Sequence, residues 1–341
     1  MKRNYILFIL IVLILLFNYS CKQGGEKKTE GSVSENDTVS VKIETLNKLI
    51  SSDSANPENY YKRSLYYLEN KDINKALSDI GRAIELNDRE AEYFVTLADL
   101  YLALGKIPNC MEALKKAEEL DPENKGALLK LAEVYLILRD YQNTFNYTGK
   151  ALDIDLHNPV AYFIRGYAYM EQGDTTLAIK SFQAAADQDQ NYYNAYIELG
   201  LLYSSLKNPL ATGYFEAAIK IEPNRTEAYY LLGMTYQEME IIPKAVETYE
   251  KLLVLAPDYK EVHYNLGYLN LVYIHDFETA IMYFNKAISL DPKYTDAYFN
   301  RGYSYELAGD SENARKDYLK ALEITPNYER AVTGLNRLDS L

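Results

Sequence analysis

Residue types that serve catalysis and metal binding are scarce in this chain. Its 341 residues include two cysteines, three histidines and no tryptophan. Cys21 and Cys110 lie in unlike sequence contexts, so neither a disulfide framework nor a cysteine-based metal site is indicated. Glycine and proline are also few, at 16 and 10, which favours helices joined by short turns.

Positive charge is in deficit as well. The chain has 36 basic and 49 acidic residues, a formal net charge of −13, and no basic stripe. Such a chain repels phosphate backbones, so we expect no nucleic-acid partner. Hydrophobic residues make up 48%, which excludes a disordered protein, and 34 residues are tyrosine. The tyrosine excess requires an explanation.

The first 21 residues are typical of a signal peptide. Lys2 and Arg3 precede an unbroken apolar run, Ile6–Phe17, which has the length of a signal-peptide core and is short for a membrane-spanning helix. The Ser20-Cys21 pair that follows resembles the lipobox of bacterial lipoproteins, in which the cysteine becomes the acylated first residue. Asn18 departs from the leucine usual in that motif. A plain secretory signal and an uncleaved anchor remain alternatives.

Residues 22–40 are rich in Lys, Glu, Gly, Ser and Thr, which predicts a flexible tether. The lipoprotein resemblance implies that Cys21 carries a lipid and attaches the protein to a membrane of the cell envelope, facing the periplasm. Lys22 directly after Cys21, in place of Asp, implies the outer membrane.

The remainder of the chain repeats itself every 34 residues or so. The segment Ala161–Tyr169 returns as Ala297–Tyr305, four repeat lengths later. Position 8 of each repeat is Ser, Ala or Gly, position 20 is also small, and position 11 is tyrosine in all repeats but one. Small residues allow two antiparallel helices to approach closely. The eight repeats are 57–90, 91–124, 125–158, 159–192, 193–225, 226–259, 260–294 and 295–328.

This pattern resembles the tetratricopeptide repeat, with its aromatic, Leu-Gly, Tyr, Ala and Pro signature. The resemblance implies an all-α, right-handed superhelical solenoid of helix–turn–helix units. His263 and Asn270, both in repeat 7, depart from the signature. Apolar residues at helical spacing predict a capping helix at each end, in 41–56 and in 329–341.

The same resemblance implies that the first helix of each repeat lines a concave groove, with positions 2, 5, 6, 9 and 12 facing it. The predicted partner-binding residues are Phe163, Tyr167, Tyr230, Tyr264, Asn265, Tyr268, Phe299, Asn300 and Tyr303. Aromatic rings offer stiff contact area, and asparagine can pair with a bound main chain. The alternative is that the rings pack on neighbouring helices. For the acids at position 2, Glu227, Glu261 and Asp296, a role at the helix N-terminus is preferred.

No catalytic motif is present in the sequence, and we predict no cofactor and no metal site. His275-Asp276 could form an acid–base pair, but it lies in a turn and has no third partner. Cys110 could be a reactive thiol, but it occupies the small position 20, where a buried thiol is expected.

These observations predict a non-enzymatic scaffold or adaptor, tethered to the envelope by its N-terminal lipid, that binds a protein or peptide partner in its groove. A permanent subunit of an envelope assembly or secretion complex is the alternative, and an enzyme is a third class.

Overall fold

The computed structural model describes residues 35–340, so the predicted signal peptide and its Cys21 lie outside the described residues. The described chain is helical, with no strand. Its helices are α1 (Glu35–Ser52), α2 (Pro57–Glu69), α3 (Ile73–Leu86), α4 (Ala91–Ala103), α5 (Ile107–Leu120), α6 (Lys125–Ile137), α7 (Tyr141–Ile154), α8 (Pro159–Glu171), α9 (Thr175–Gln188), α10 (Tyr193–Ser205), α11 (Leu210–Ile221), α12 (Thr226–Glu238), α13 (Ile242–Leu255), α14 (Lys260–Leu269), a π-helix (Asn270–Ile274), α15 (Phe277–Leu290), α16 (Thr295–Leu307), α17 (Ser311–Ile324) and α18 (Glu329–Asp339).

Helices α2 to α17 supply two helices to each predicted repeat. The chain divides into two compact units, 1–174 and 175–341. In the first unit, α1 packs against α2, three successive pairs are formed by α2 to α7, and α8 packs against α7. In the second unit, α9 packs against α10, four successive pairs are formed by α10 to α17, and α18 packs against α17. The all-α repeat architecture predicted from the sequence is confirmed.

Glycine at position 8 is the contact point between the two helices of a pair. A Cβ added to Gly233 would lie 2.4 Å from Cε1 of Tyr249, and one added to Gly200 would lie 2.4 Å from Cε1 of Phe215. The ring of the second helix therefore rests directly on the backbone of the first. Position 20 is equally enclosed: Ala211 and Ala245, for example, have no exposed surface. This close approach explains the small residues that recur in the sequence.

The turn within each repeat has one geometry throughout. Its first residue adopts a left-handed conformation, with φ between 53° and 85°. Glycine occupies this position in three repeats, as expected for the left-handed region. In the other five repeats a residue with a side chain adopts it. The eight residues are Lys71, Gly105, Arg139, Gly173, Lys207, Glu240, His275 and Gly309.

Repeat 7, 260–294, is one residue longer than the 34-residue period. The additional residue is accommodated in the π-helix that follows α14. Asn270 is buried there, and its Nδ2 donates to the carbonyl of Leu266 at 2.8 Å. His263, the other departure from the signature, is also buried, with Nε2 2.8 Å from the carbonyl of Pro257. Both polar residues therefore satisfy local backbone groups.

The N-terminal helix departs from its predicted bounds. It begins at Glu35 and ends at Ser52, whereas a helix within 41–56 was expected. Residues 35–40, assigned by composition to the flexible tether 22–40, are helical. Helix growth from an existing turn costs little, so a helix nucleated by the apolar residues from Val41 onward extends upstream. Residues 22–34 of the tether lie outside the described chain. The C-terminal helix, α18, falls within the expected 329–341.

Candidate functional site

The first helices of repeats 6 to 8 carry most of the residues predicted to bind a partner. We define the first-helix face as positions 2, 5, 6, 9 and 12 of these repeats. Its members are Glu227, Tyr230, Leu231, Met234, Gln237, Glu261, Tyr264, Asn265, Tyr268, Leu271, Asp296, Phe299, Asn300, Tyr303 and Glu306. All belong to the second compact unit. They lie on α12, on α14 with the π-helix after it, and on α16.

Aromatic rings on this face are paired in a regular series. The ring of Tyr230 lies 5.4 Å from that of Tyr259, and the ring of Tyr264 lies 4.9 Å from that of Tyr294. Phe299 makes the corresponding contact with Tyr328, at 5.8 Å between centroids. In each case the position-5 ring meets the tyrosine that ends the repeat.

These terminal tyrosines were missed from the sequence. Tyr259 and Tyr294 directly precede first helices, and Tyr328 directly precedes the C-terminal helix α18. The three tyrosines end three consecutive repeats. The recurrence of tyrosine at the ends of these repeats is a signal in the sequence from which their role could have been predicted. Each of these three tyrosines therefore packs against the position-5 ring of its own repeat.

The two asparagines bond to tyrosine hydroxyls of the protein itself. Nδ2 of Asn300 donates to the hydroxyl of Tyr264 at 2.9 Å, and Nδ2 of Asn265 donates to that of Tyr249 at 3.1 Å. The prediction that Asn300 pairs with a bound main chain is wrong, because its side chain is buried as well as bonded. Asn265 is half-buried and is already bonded.

Burial separates the predicted aromatic residues into two groups. Phe163 is 0% exposed, Phe299 7% and Tyr167 8%, so these three pack inside the protein and offer little area to a partner. The prediction that they form a binding surface is wrong, because a helical pattern does not reveal which positions the next helix covers. The tyrosines that remain half-buried, with ring surface accessible, are Tyr230, Tyr264, Tyr268 and Tyr303.

The carboxylates of the face interact with cations from neighbouring segments. Arg337 of α18 donates to both oxygens of Glu306, at 2.8 and 2.9 Å, and its guanidinium lies 5.3 Å from the ring centre of Tyr303. Burial by itself would raise the pKa of Glu306, but the hydrogen bonds from Arg337 and Tyr318 hold it below its usual value. Arg337 therefore covers the end of the first-helix face that lies nearest to α18.

Arg330, also on α18, repeats this arrangement. Its guanidinium lies 4.3 Å from the ring centre of Phe299, and Nη1 is 3.6 Å from Oδ1 of Asp296. The hydroxyl of Tyr328 donates to the same carboxylate. The acid at position 2 of repeat 8, Asp296, thus has specific partners, beyond any interaction with the helix N-terminus.

The residues considered for catalysis have structural roles. His275 is the left-handed residue of its turn, and Asp276 caps α15 by accepting from the backbone N–H of Thr279 at 3.0 Å. That bond, with a second one from the Thr279 hydroxyl, lowers the pKa of Asp276. Cys110 is buried, and burial raises the pKa of its thiol to about 12. Within 35–340 no group of three or more His, Cys, Asp or Glu residues could hold a metal ion.

Two surface depressions lie away from the first-helix face. One, of about 680 Å³, is in repeat 2 and is lined by residues that include Phe94, Tyr101 and Met111. The other, of about 380 Å³, is lined by residues that include Asp187, Tyr196 and Lys220. None of the helices in the described part of the chain is long and apolar enough to cross a membrane.

Family profiles match most of the repeat region. A profile described as tetratricopeptide repeat matches residues 57–89, 91–124, 226–259 and 261–294, and a second with the same description matches 295–328. A third, described as TPR repeat, matches 166–207. Together the three profiles cover more than half of the chain.

Solved structures with similar folds include the C-terminal part of a TPR repeat-containing protein from Cytophaga hutchinsonii. It is 22% identical, with a TM-score of 0.62, and the match covers 71% of this chain and 99% of that one. The MamA protein is 26% identical over 49% of this chain and 91% of its own, with a TM-score of 0.46.

A curated relative is anaphase-promoting complex subunit 3 from Schizosaccharomyces pombe. It is 24% identical over 123 residues, which are 36% of this chain. The chain spans only 18% of the length of that relative.

Proposed function

Because this chain belongs to the tetratricopeptide repeat family, we propose that it is a non-enzymatic scaffold that holds a segment of a protein partner on its first-helix face. The observation that carries the proposal is the row of half-buried tyrosines on α12, α14 and α16. Their rings are fixed by stacking, as Tyr264 is on Tyr294, so binding costs little side-chain entropy. Rigid aromatic side chains commonly dominate protein interfaces.

The face is tested by capture of partners with the full-length protein in mild detergent. The variant is Tyr268→Ala with Tyr303→Ala, which removes ring surface at position 9 of two repeats. The control is Val254→Ser with Met282→Ala, since Val254 (82%) and Met282 (56%) are exposed on second helices. We expect the first variant to lose partners that the control retains, at equal helical circular dichroism. Retention of every partner by both variants would refute the proposed face.

The proposed location is the outer membrane, with the repeats facing the periplasm and a lipid on Cys21. The support is the order of basic residues, apolar run and Ser20-Cys21 in the leader. Labelling cells with a fatty-acid analogue tests it. We expect label in the natural protein and none in Cys21→Ala, which should also leave the membrane fraction. Equal labelling of both would rule out this anchor.

A permanent place in a larger envelope complex is the second candidate, favoured by the name of the curated relative, a complex subunit. Size-exclusion chromatography of a mild detergent extract separates the two candidates. A scaffold that exchanges partners elutes mainly alone, whereas a permanent subunit elutes in one large complex.

A further inference from the structure

Every charged residue at the positions of the first-helix face is acidic. Four of its fifteen positions hold carboxylates, and none holds lysine or arginine. Glu261 and Asp296 are among the more accessible of these, with about half of each side chain exposed (49% and 48%). The net charge of −13 adds a long-range attraction for cations. Arginines of the protein itself pair with Glu227, Asp296 and Glu306, so the carboxylate of the face that is least engaged by an arginine is that of Glu261, in repeat 7.

The protein itself shows how a cation is held beside these carboxylates. Arg330 lies over the ring of Phe299 and next to Asp296, and Arg337 lies over Tyr303 and bonds Glu306. The same pairing of a ring with a carboxylate occurs before α12. There the guanidinium of Arg225 is 4.0 Å from the ring centre of Tyr193, and Nη2 is 2.9 Å from Glu227. Three arginines thus make a cation–π contact and an ion pair at once.

Repeat 7 has the same components, but its own cation, Lys260, lies over the ring of Tyr294 at 5.1 Å rather than over Tyr264 or Tyr268. Tyr264 and Tyr268 are half-buried, and Glu261 lies on the same helix. Lys260, the nearby cation, makes its short bond to Asp291 at 2.9 Å and is 3.6 Å from Glu261. Within the described chain no lysine or arginine lies over the ring of Tyr268. The helix N-terminus accounts for an acid at position 2, but it does not account for accessible rings beside it.

We propose that the first-helix face binds a basic segment of a protein partner. Arginine or lysine side chains of that segment lie over Tyr264 and Tyr268, and their charges pair with Glu261 and, alongside Arg330, with the exposed part of the Asp296 carboxylate. The proposal rests on the scaffold function above and specifies its partner. Arg330 and Arg337 of α18 occupy the equivalent positions in repeat 8, so the basic segment lies mainly on repeat 7.

Fluorescence anisotropy with the full-length protein in detergent tests the proposal. The probes are labelled peptides of equal length that alternate Gly with Arg, Lys, Gln or Glu. The charge variant is Glu261→Gln with Asp296→Asn. Its control is Glu247→Gln with Glu312→Gln, which removes the same charge from exposed carboxylates on second helices. We expect the Arg and Lys peptides to bind, and the charge variant to bind them about tenfold more weakly than the control.

A second pair of variants tests the aromatic contact. Tyr268→Phe keeps the ring and should retain the affinity for the Arg peptide, whereas Tyr268→Leu should lose about threefold or more. Equal weakening by both pairs of charge substitutions would mean diffuse attraction and would overturn the proposal. So would equal binding of the Gln or Glu peptide, or the absence of any binding. If the protein captures partners through Tyr268 and Tyr303 but does not bind basic peptides, the proposed scaffold function stands and only the inference about a basic partner fails.

Discussion

The guanidinium of Arg301 donates two hydrogen bonds to the carboxylate of Asp317, from Nε to Oδ2 at 2.7 Å and from Nη2 to Oδ1 at 2.6 Å. Nη1 reaches back to Oδ1 of Asn285 at 2.6 Å. Repeat 1 has the same bidentate pair between Arg63 and Asp79, with the same separation of 16 residues. Each pair joins the two helices of a repeat, and the Asn285 contact joins repeat 8 to repeat 7.

Asp317→Asn should reduce the free energy of unfolding by about 3 kcal/mol, because it leaves the mostly buried charge of Arg301 without its partner. The double variant Arg301→Met with Asp317→Leu should recover most of that loss. Hydrogen exchange of α16 to α18 measures the effect locally, which matters because a long repeat array need not unfold in two states. A loss confined to α1 or α2 would contradict the expectation.

Gly233→Ala should destabilise the protein by about 1–3 kcal/mol, because the new methyl group would overlap the ring of Tyr249. Gly213→Ala is the matched control. It lies in α11, and a Cβ there meets nothing within 4 Å. The control should be neutral or stabilising by about 0.5–1 kcal/mol, since alanine favours helix. Thermal unfolding followed by circular dichroism compares the two, and equal midpoints would show that the helices can move apart at no cost.

Lys130→Met should destabilise the first compact unit in a pH-dependent way. Nζ of Lys130 lies 3.2 Å from Asp99 and 3.3 Å from Glu133, and all three side chains are mostly buried. Burial raises the pKa of both carboxyl groups in the folded protein, which Lys130 counteracts. Without Lys130 we expect a loss of about 3 kcal/mol at pH 7.

The loss should be smaller at pH 5. A carboxyl group whose pKa is raised in the folded protein binds its proton more tightly there than in the unfolded chain. Its contribution to stability is therefore fully present below the unfolded pKa values of 3.8 and 4.5, and it is lost as pH rises from these values through the raised folded pKa. Unfolding midpoints at the two pH values measure this. The exposed Lys116→Met is the control, and it should show no such difference.

Cys110 should resist thiol reagents while the protein is folded. Its side chain is 1% exposed, and burial, reinforced by Asp99, raises the thiol pKa to about 12, so little thiolate exists at pH 8. In a Cys21→Ala background, mass spectrometry should find Cys110 unmodified by iodoacetamide until denaturant is added. Val254→Cys, on an exposed site, should react at once. Rapid modification of native Cys110 would mean that α5 opens readily.

The helix pairs could be predicted from the sequence because the residues that form their contacts recur with the period of the repeat. Small residues at positions 8 and 20 follow from the contact between helices, as Gly233 on Tyr249 shows. A left-handed turn can be read from the sequence only where it holds glycine, as at Gly173. Lys71 and Glu240 adopt it too, because the helices on either side fix the turn whatever its side chain.

The binding face was harder to predict. Position numbers alone do not show how far the next repeat covers a ring, so buried Phe299 and half-buried Tyr268 looked alike. Tyr294 was overlooked because it lies outside the positions implied by the family resemblance. Its role depends on a contact with Tyr264, which is 30 residues away in the chain and becomes a neighbour only after folding.

The π-helix of repeat 7 has a consequence for how such a chain can lengthen. The spacing from Ala245 to Ala280 is one residue longer than the spacing from Ala280 to Ala314, yet all three alanines are fully buried. The added residue is confined to the segment that ends at His275. Repeat 8 therefore keeps the same register of helix contacts as the repeats before it. This turn is therefore a natural point for inserting a short epitope or a fluorophore tag without disturbing the helix pairs on either side.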